Sequence, residues 1–449
     1  MKILFIILIF AAICLPLSVV NSQEQSTETN DTENTTEVPS KQEHVDHPVI
    51  KEVVSRPKAF YNFFKSHYDG GLVFETKNKN FRVRYRTLIQ FQFVATNNDD
   101  SSGTETEFFF RRFRLKFDGH AFRPWLIYRL QLSRDDVKLG QGGDSSGVEF
   151  KDFYIDAVYF DKISSRIGQF KVPFNREQLT SGTALLLVER SIVNSEFSYG
   201  RKIGGALFGF LGSHLAYDVG VFTALETDDT SDASSLDSEA FSTRIQLNFG
   251  GTLEYSNGGF PTGGDYALVP DFTKVPIFVS GAALVYIPAL SVEGKENEGD
   301  SSALIERFIE LGISKGNVVS ITGDASYKLP MFNVEAAYTG RWINPDNSGS
   351  ETVYDQGIRI QTGLFLMPEL IEIAGRWAFI SYDTSPGVSG VEQALRDTSS
   401  ELTSGINYYI SKNNNHKLQL SYSFINETFT QGAPNEDEKT LRVQFQVQF

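Results

Sequence analysis

The chain has 449 residues, 41% of them apolar, with 37 Phe, 37 Gly, three Met and a single Cys. That is ample for a large core, and rich aromatic content without a long internal apolar run excludes a helical membrane bundle and points to sheets. The formal charge of −15 argues at first against handling of anions, but the charge is unevenly distributed along the chain.

Lys2 followed by the apolar run Ile3–Val20 and the small residues up to Ser22 reads as a signal peptide over 1–22, cut near Gln23. The run approaches membrane-spanning length, which leaves a retained anchor as the alternative; Pro16 and the polar sequence after Ser22 favour cleavage. Lipidation at Cys14 is disfavoured by the bulky Ile13 before it. Removal of Cys14 leaves a mature chain with neither disulfide nor thiol chemistry. Residues 23–55 carry eight Asp and Glu against two Lys, and 23–67 is read as an acidic, flexible periplasmic linker. Arg56 to Tyr68 holds five aromatics and is expected to dock on the sheet-rich remainder of the chain or to form a short helix.

From Phe81 the pattern has period two. Phe81, Val83, Tyr85, Ile89, Phe91 and Phe93 share one face; Arg82, Arg84, Arg86, Gln90 and Gln92 share the other. The run is long enough for a tilted membrane strand. Sixteen such strands are predicted: 81–94, 107–117, 124–134, 149–160, 163–171, 199–211, 213–224, 240–249, 277–287, 318–328, 331–342, 354–366, 370–382, 401–411, 416–427 and 439–449. Most connections alternate between long polar loops, among them Ala289–Asn317, and short turns, the pattern of an all-β transmembrane antiparallel barrel occupying 68–449. Residues 250–276, Gly- and Pro-rich, break that alternation. The last strand sets Leu441, Val443, Phe445, Val447 and Phe449 toward lipid and Arg442, Gln444, Gln446 and Gln448 toward the lumen. Its terminal aromatic resembles the assembly signal of outer-membrane barrels, and an even strand count returns it to the periplasmic side.

Seven long loops hold 28 Asp and Glu against three Lys and Arg, and residues 1–55 carry −5, so the rest of the chain has a balance of +15. Strand charges avoid lipid and line the lumen. Arg82, Arg84 and Arg86 therefore form one inward row at spacings of about 6.8 Å, Arg112, Arg114 and Lys116 a second, and Arg129 lies inward on the third strand. Such a row attracts anions in a narrow bore. Any single Arg could equally pair with an acidic loop residue and brace the wall. The acidic loops could be simply solvated, or could hold divalent cations against lipopolysaccharide.

Several segments resemble the phosphate-selective porin O and P family: Tyr68–Leu72, Phe109–Gly119, Ile167–Phe174, Leu187–Ser191 with Arg201 following, Gln361–Leu370 and Glu401–Tyr409. The resemblance implies a sixteen-stranded homotrimeric barrel in the bacterial outer membrane, with a loop folded inward as a constriction and uptake of anions such as phosphate or polyphosphate. Arg111 and Arg112 match its paired-arginine motif; alternation sends Arg112 inward and Arg111 outward unless the strand bulges. Within the loop Val172–Ser198, Arg176 and Arg190 are the candidate solute contacts, and Arg201 joins the pathway.

No catalytic, metal or cofactor motif stands out. Gly140–Gly147 lacks the Lys and helix of a phosphate loop, and His120, His214 and His416 fall near predicted turns, away from where a barrel hydrolase needs them. The sequence therefore reads as a porin for passive diffusion of small, preferentially anionic solutes, with membrane lipid and lipopolysaccharide as surroundings, no nucleic acid and no enzymatic role. The alternative is an adhesin or structural barrel that works through its acidic loops.

Overall fold

The computed structural model describes residues 64–98, 103–138, 147–160, 162–223, 239–249, 276–292, 302–346, 351–384 and 394–449. The expected signal peptide over 1–22, residues 23–63 and the 250–275 segment lie outside the described residues. Two short strands, β1 (Phe64–Tyr68) and β2 (Leu72–Thr76), form an antiparallel hairpin. The next sixteen are β3 Arg82–Asn98, β4 Glu105–His120, β5 Leu126–Lys138, β6 Glu149–Phe160, β7 Ile163–Lys171, β8 Arg201–Leu211, β9 Leu215–Thr223, β10 Glu239–Phe249, β11 Ile277–Ser291, β12 Lys315–Leu329, β13 Phe332–Pro345, β14 Val353–Met367, β15 Ile371–Ser381, β16 Arg396–Tyr409, β17 His416–Phe429 and β18 Glu436–Gln448. Each pairs with the next, and β18 pairs back onto β3, closing a sixteen-stranded antiparallel barrel. All sixteen expected strands are present, several of them longer than the sequence pattern alone marks out.

Closure is completed at the seam by the hairpin. β18 covers β3 only from Asn98 to Leu88, and Phe449 then exchanges backbone hydrogen bonds with Thr87 at 2.7 and 3.0 Å. Beyond that point β2 takes over the same edge, pairing Leu72–Glu75 with Tyr85–Arg82. An unpaired edge would be untenable in or near lipid, and β2 covers it by strand addition; the described part of the segment ending at Tyr68 is a strand paired to β2, not a helix.

Burial is inverted relative to a soluble protein. On β10 the buried positions are Ala240, Ser242, Arg244, Gln246 and Asn248, while Phe241, Ile245, Leu247 and Phe249 are exposed. Ile167, Leu402 and Phe153 are 68%, 61% and 60% exposed. A contiguous apolar outer band of this kind is stable only against lipid. Trp125 packs edge-on against Tyr159 near the short-turn end, and Trp342 stacks on Tyr354 near the long-loop end, as interfacial aromatics do.

The bore is not empty. Residues 172–200, between β7 and β8, carry α1 (Arg176–Leu179) and α2 (Ile192–Phe197) and pack against inward-facing wall residues. Asn175 and Ser191 cap the two helices with their side-chain oxygens. The wall makes room with glycine: a Cβ at Gly357 would lie 2.9 Å from Phe197 and 3.1 Å from Val193, and one at Gly405 2.7 Å from Leu187.

A second element interrupts what the sequence pattern assigns to a long polar loop. The described portion of that loop holds α3 (Ala303–Glu310), whose Leu304, Ile305 and Phe308, with Leu311 and Ile313, are buried against Val285, Ile287, Val318, Ile343 and Val353 of the wall. Val172 and Phe174 join the same cluster. The i, i+1, i+4 spacing of these apolar residues is a helical face, a local signal masked by the acidic sequence around it.

Candidate functional site

The lumen is organised by a β-bulge. On β4, Arg112 is opposite Gln90 and Phe110 is opposite Phe91, so Arg111 is the extra residue. Across the other edge, Phe110 faces Val137 and Arg112 faces Asp135, leaving Arg111 beside Asp136, whose φ is +56°. The bulge shifts the alternation by one, so both Arg111 and Arg112 reach the lumen. The condition under which Arg111 turns inward is met.

Their shared partner comes from the loop. Arg111 Nε donates to Glu189 Oε1 at 2.7 Å and its Nη2 to Oε2 at 3.2 Å; Arg112 Nη2 lies 3.5 Å from Oε2. Burial alone would raise the Glu189 carboxyl, but Arg111 and then Arg112 hold it well below the usual carboxylate range. These groups border a cavity of about 570 Å³ between β3–β4 and β15–β18, floored by Arg190, Ile192, Asn194 and Ser195 of the loop.

On the wall formed by β3 to β8, cations outnumber carboxylates. Arg84 and Arg86 share Asp118. Arg114 holds Asp135 at 2.6 Å; Arg129 and Arg201 share Asp152 at 3.5 and 2.7 Å. Lys116 faces Arg86, Arg114 and Arg129, and among the described residues no carboxylate is within ion-pair distance of it. Lys171, next to Arg201, spends its ammonium on the carbonyls of Gln178, Leu179 and Thr180.

The opposite wall is neutralised. A chain of buried ion pairs runs Arg176–Glu335–Arg359–Glu177–Arg376–Glu401, with separations of 2.7, 3.2, 3.5 and 2.6 Å around the very short Arg359–Glu335 contact. It enters from the loop at Arg176 and at Glu177 and fastens α1 to β13–β16. A second set closes on itself: Arg307–Asp355–Arg341–Glu196–Arg396–Glu310 and back to Arg307, all between 2.6 and 3.5 Å. This ring ties α2 and α3 to each other and to β13, β14 and β16. Glu177 shows the balance: burial pushes its carboxyl up, while Arg359, Arg376 and the Ser191 hydrogen bonds bring it below its ordinary value.

The sequence-derived candidates thus divide. Arg84, Arg86, Arg112, Arg114, Lys116, Arg129 and Arg201 come together on the lumen wall. Arg82 does not: it pairs with Asp69 at 2.9 Å, exposed at the short-turn end. Arg176 is fully buried behind the loop against Glu335 and is a brace rather than a solute contact. Arg190 borders the cavity while donating to the carbonyls of Glu177 and Thr180. The wall's positive balance is also smaller than the loop-by-loop count suggests, because Asp135, Asp136 and Glu401 belong to strands and pair with inward arginines. The bracing residues Glu335, Arg341, Asp355, Arg359 and Arg376 were missed. Their inward parity could be read from alternation on β13–β15, but their partners could not.

Residues 81–255 match the family model described as phosphate-selective porin O and P, a span that holds β3 to β10. An uncharacterized protein of Aquifex aeolicus (strain VF5) is 26% identical over 153 residues, 29% of this chain; the match spans 37% of that relative's length. Among solved structures, the outer membrane channel DcaP of Acinetobacter baumannii aligns over 84% of this chain and 99% of its own at 10% identity, TM-score 0.52. Salmonella typhi OmpF, in complex with daunomycin, covers 85% and 100% at 10% identity with the same score. Pseudomonas putida OprB covers 81% and 94% at 12% identity, TM-score 0.51. At such identities the likeness is one of fold. The closed sixteen-stranded barrel shares its fold with these outer-membrane barrels along most of its length, and its residues 81–255 are similar to the phosphate-selective porin O and P family.

Proposed function

We propose that the protein is a passive diffusion channel biased toward small anions, phosphate among them, and that it works as a homotrimer with its acidic loops facing lipopolysaccharide. The bias rests on one observation: the β3–β8 wall has more cations than carboxylates, with Lys116 set among Arg86, Arg114 and Arg129. The opposite wall, where arginines and carboxylates are paired in one chain and one closed ring, braces the loop and adds little net field. Bracing therefore accounts for the arginines of β13–β16, and selectivity is carried by those of β3–β8.

Reversal potentials across planar bilayers in a KCl gradient test this. Chloride is expected to permeate more readily than potassium at ~0.1 M salt, and the preference is expected to shrink toward ~1 M as the Debye length falls from about 10 to about 3 Å. Arg129→Gln removes a unit charge while Asp152 keeps Arg201 as its partner; the charge is worth about 0.4 kcal/mol at ~10 Å in water, so chloride and potassium permeation should each shift roughly twofold, in opposite senses. A wild-type channel that prefers potassium overturns the anion bias; a barrel without conductance overturns the channel itself.

A further inference from the structure

The Glu189 carboxylate occupies the place a solute anion would take. Three side chains from two strands converge on it: Arg111 through Nε and Nη2, Arg112 through Nη2, and Gln92, whose Nε2 donates to Oε1 at 3.3 Å. The side-on, two-point grip of Arg111 is the geometry a guanidinium uses for any carboxylate or phosphate oxygen pair. The site faces the 570 Å³ cavity rather than the packed interior.

A bracing role explains the contact poorly, because the loop is held at this point by other bonds. Arg376 Nη1 donates to the Glu189 backbone carbonyl at 2.9 Å, and the Ile192 N–H donates to Glu401 Oε2 at 2.9 Å. Arg190 bonds back to the Glu177 and Thr180 carbonyls. None of these uses the Glu189 side chain. The consequence of the bulge that brings Arg111 inward is a second guanidinium beside the first.

We propose that Glu189 is a tethered counter-ion that fills an oxyanion site made by Arg111, Arg112 and Gln92, and that solutes bearing a carboxylate or phosphate bind there by exchanging with it. Glu189 then sets how tightly the channel holds its cargo. A tethered competitor acts at high effective concentration, so the resident carboxylate keeps solute affinity low and release fast, as conduction requires. The inference rests on the channel reading but is tested separately from it.

The experiment measures block of chloride current by inorganic phosphate, and by acetate, in wild-type, Glu189→Gln and Glu189→Ala channels. Heat-modifiable electrophoretic mobility checks that each barrel is folded. Both substitutions should lower the phosphate concentration for half-block by about tenfold, a typical coupling between competing ligands, and Arg111→Gln added to Glu189→Gln should cancel the gain. Acetate gaining with phosphate identifies a general oxyanion site; phosphate gaining alone narrows it to phosphate. Unchanged block by both anions in both folded variants overturns the proposal. If the wild-type barrel carries no current, calorimetric titration of the detergent-solubilised protein with phosphate decides the same point. Tighter binding in Glu189→Gln supports the site although the channel reading has failed, and equal binding overturns it.

Discussion

Leucine in place of Gly357 is expected to lower single-channel conductance severalfold and to add rapid current flicker. The three atoms nearest to a Cβ at this position belong to the loop, Phe197 Cε2 at 2.9 Å and the two Val193 methyls at 3.1 and 3.2 Å. A larger side chain therefore presses directly on α2. Overpacking of this kind costs about 1–3 kcal/mol, and the strain falls on whichever side yields first. Gly357 is locked by ladder pairing to Thr339 on one side and Ile380 on the other, whereas α2 is a six-residue helix held by side chains. The helix yields, and because Val193 and Phe197 face the wall while Ile192, Asn194 and Ser195 face the cavity, its displacement away from Gly357 narrows the pathway. Gly323→Leu is the control, since a Cβ there meets nothing within 4 Å. Conductance in Gly357→Leu equal to that of the control would mean that α2 does not narrow the passage.

Arg359→Met is expected to loosen the inward loop more than any single truncation of an apolar residue. Arg359 stands between Glu335 and Glu177, both nearly devoid of solvent contact. Without it two buried carboxylates lose a cation, and breaking one partner of a buried pair costs about 3–5 kcal/mol, more than the pair itself contributes. Limited proteolysis within 172–200 should accelerate and the unfolding midpoint in denaturant should fall. Adding Glu177→Gln should restore much of the loss, because it removes the one excess carboxylate and leaves Arg176–Glu335 and Arg376–Glu401 as balanced pairs; no recovery would mean that packing rather than charge holds the loop. The acid response comes from the same balance. The Glu177 carboxyl is depressed in the folded protein, so its contribution is fully present above the ordinary Glu value of about 4.3 and is lost only as pH falls through the lower folded value. Wild-type protease resistance at about pH 5 should therefore match that at neutral pH, and a release of the loop in that mild acid would contradict the assignment.

The sequence alone determined the sixteen strands, their closure in membrane, the lipid face of each, and the cationic row of β3–β5. These come from a period of two, which is a local property: the pleat sends every second side chain to lipid, and lipid tolerates only apolar ones there. Family likeness supplied the inward loop and the paired Arg111–Arg112, but alternation by itself could not say that both face the lumen. Only the tertiary structure decided that, because a bulge is defined by pairing with a neighbouring strand, and Arg111 is extra only relative to Gln90 and Phe91. Pairing over long sequence separations likewise turned Arg176 from a solute contact into a brace on Glu335, and joined Arg307 to Asp355, Arg341 and Glu196 in one ring. Each of those side chains announces a charge in the sequence. Whether that charge attracts a solute or is already neutralised depends on which carboxylate the closed barrel brings within about 3–4 Å, and no local pattern encodes that distance.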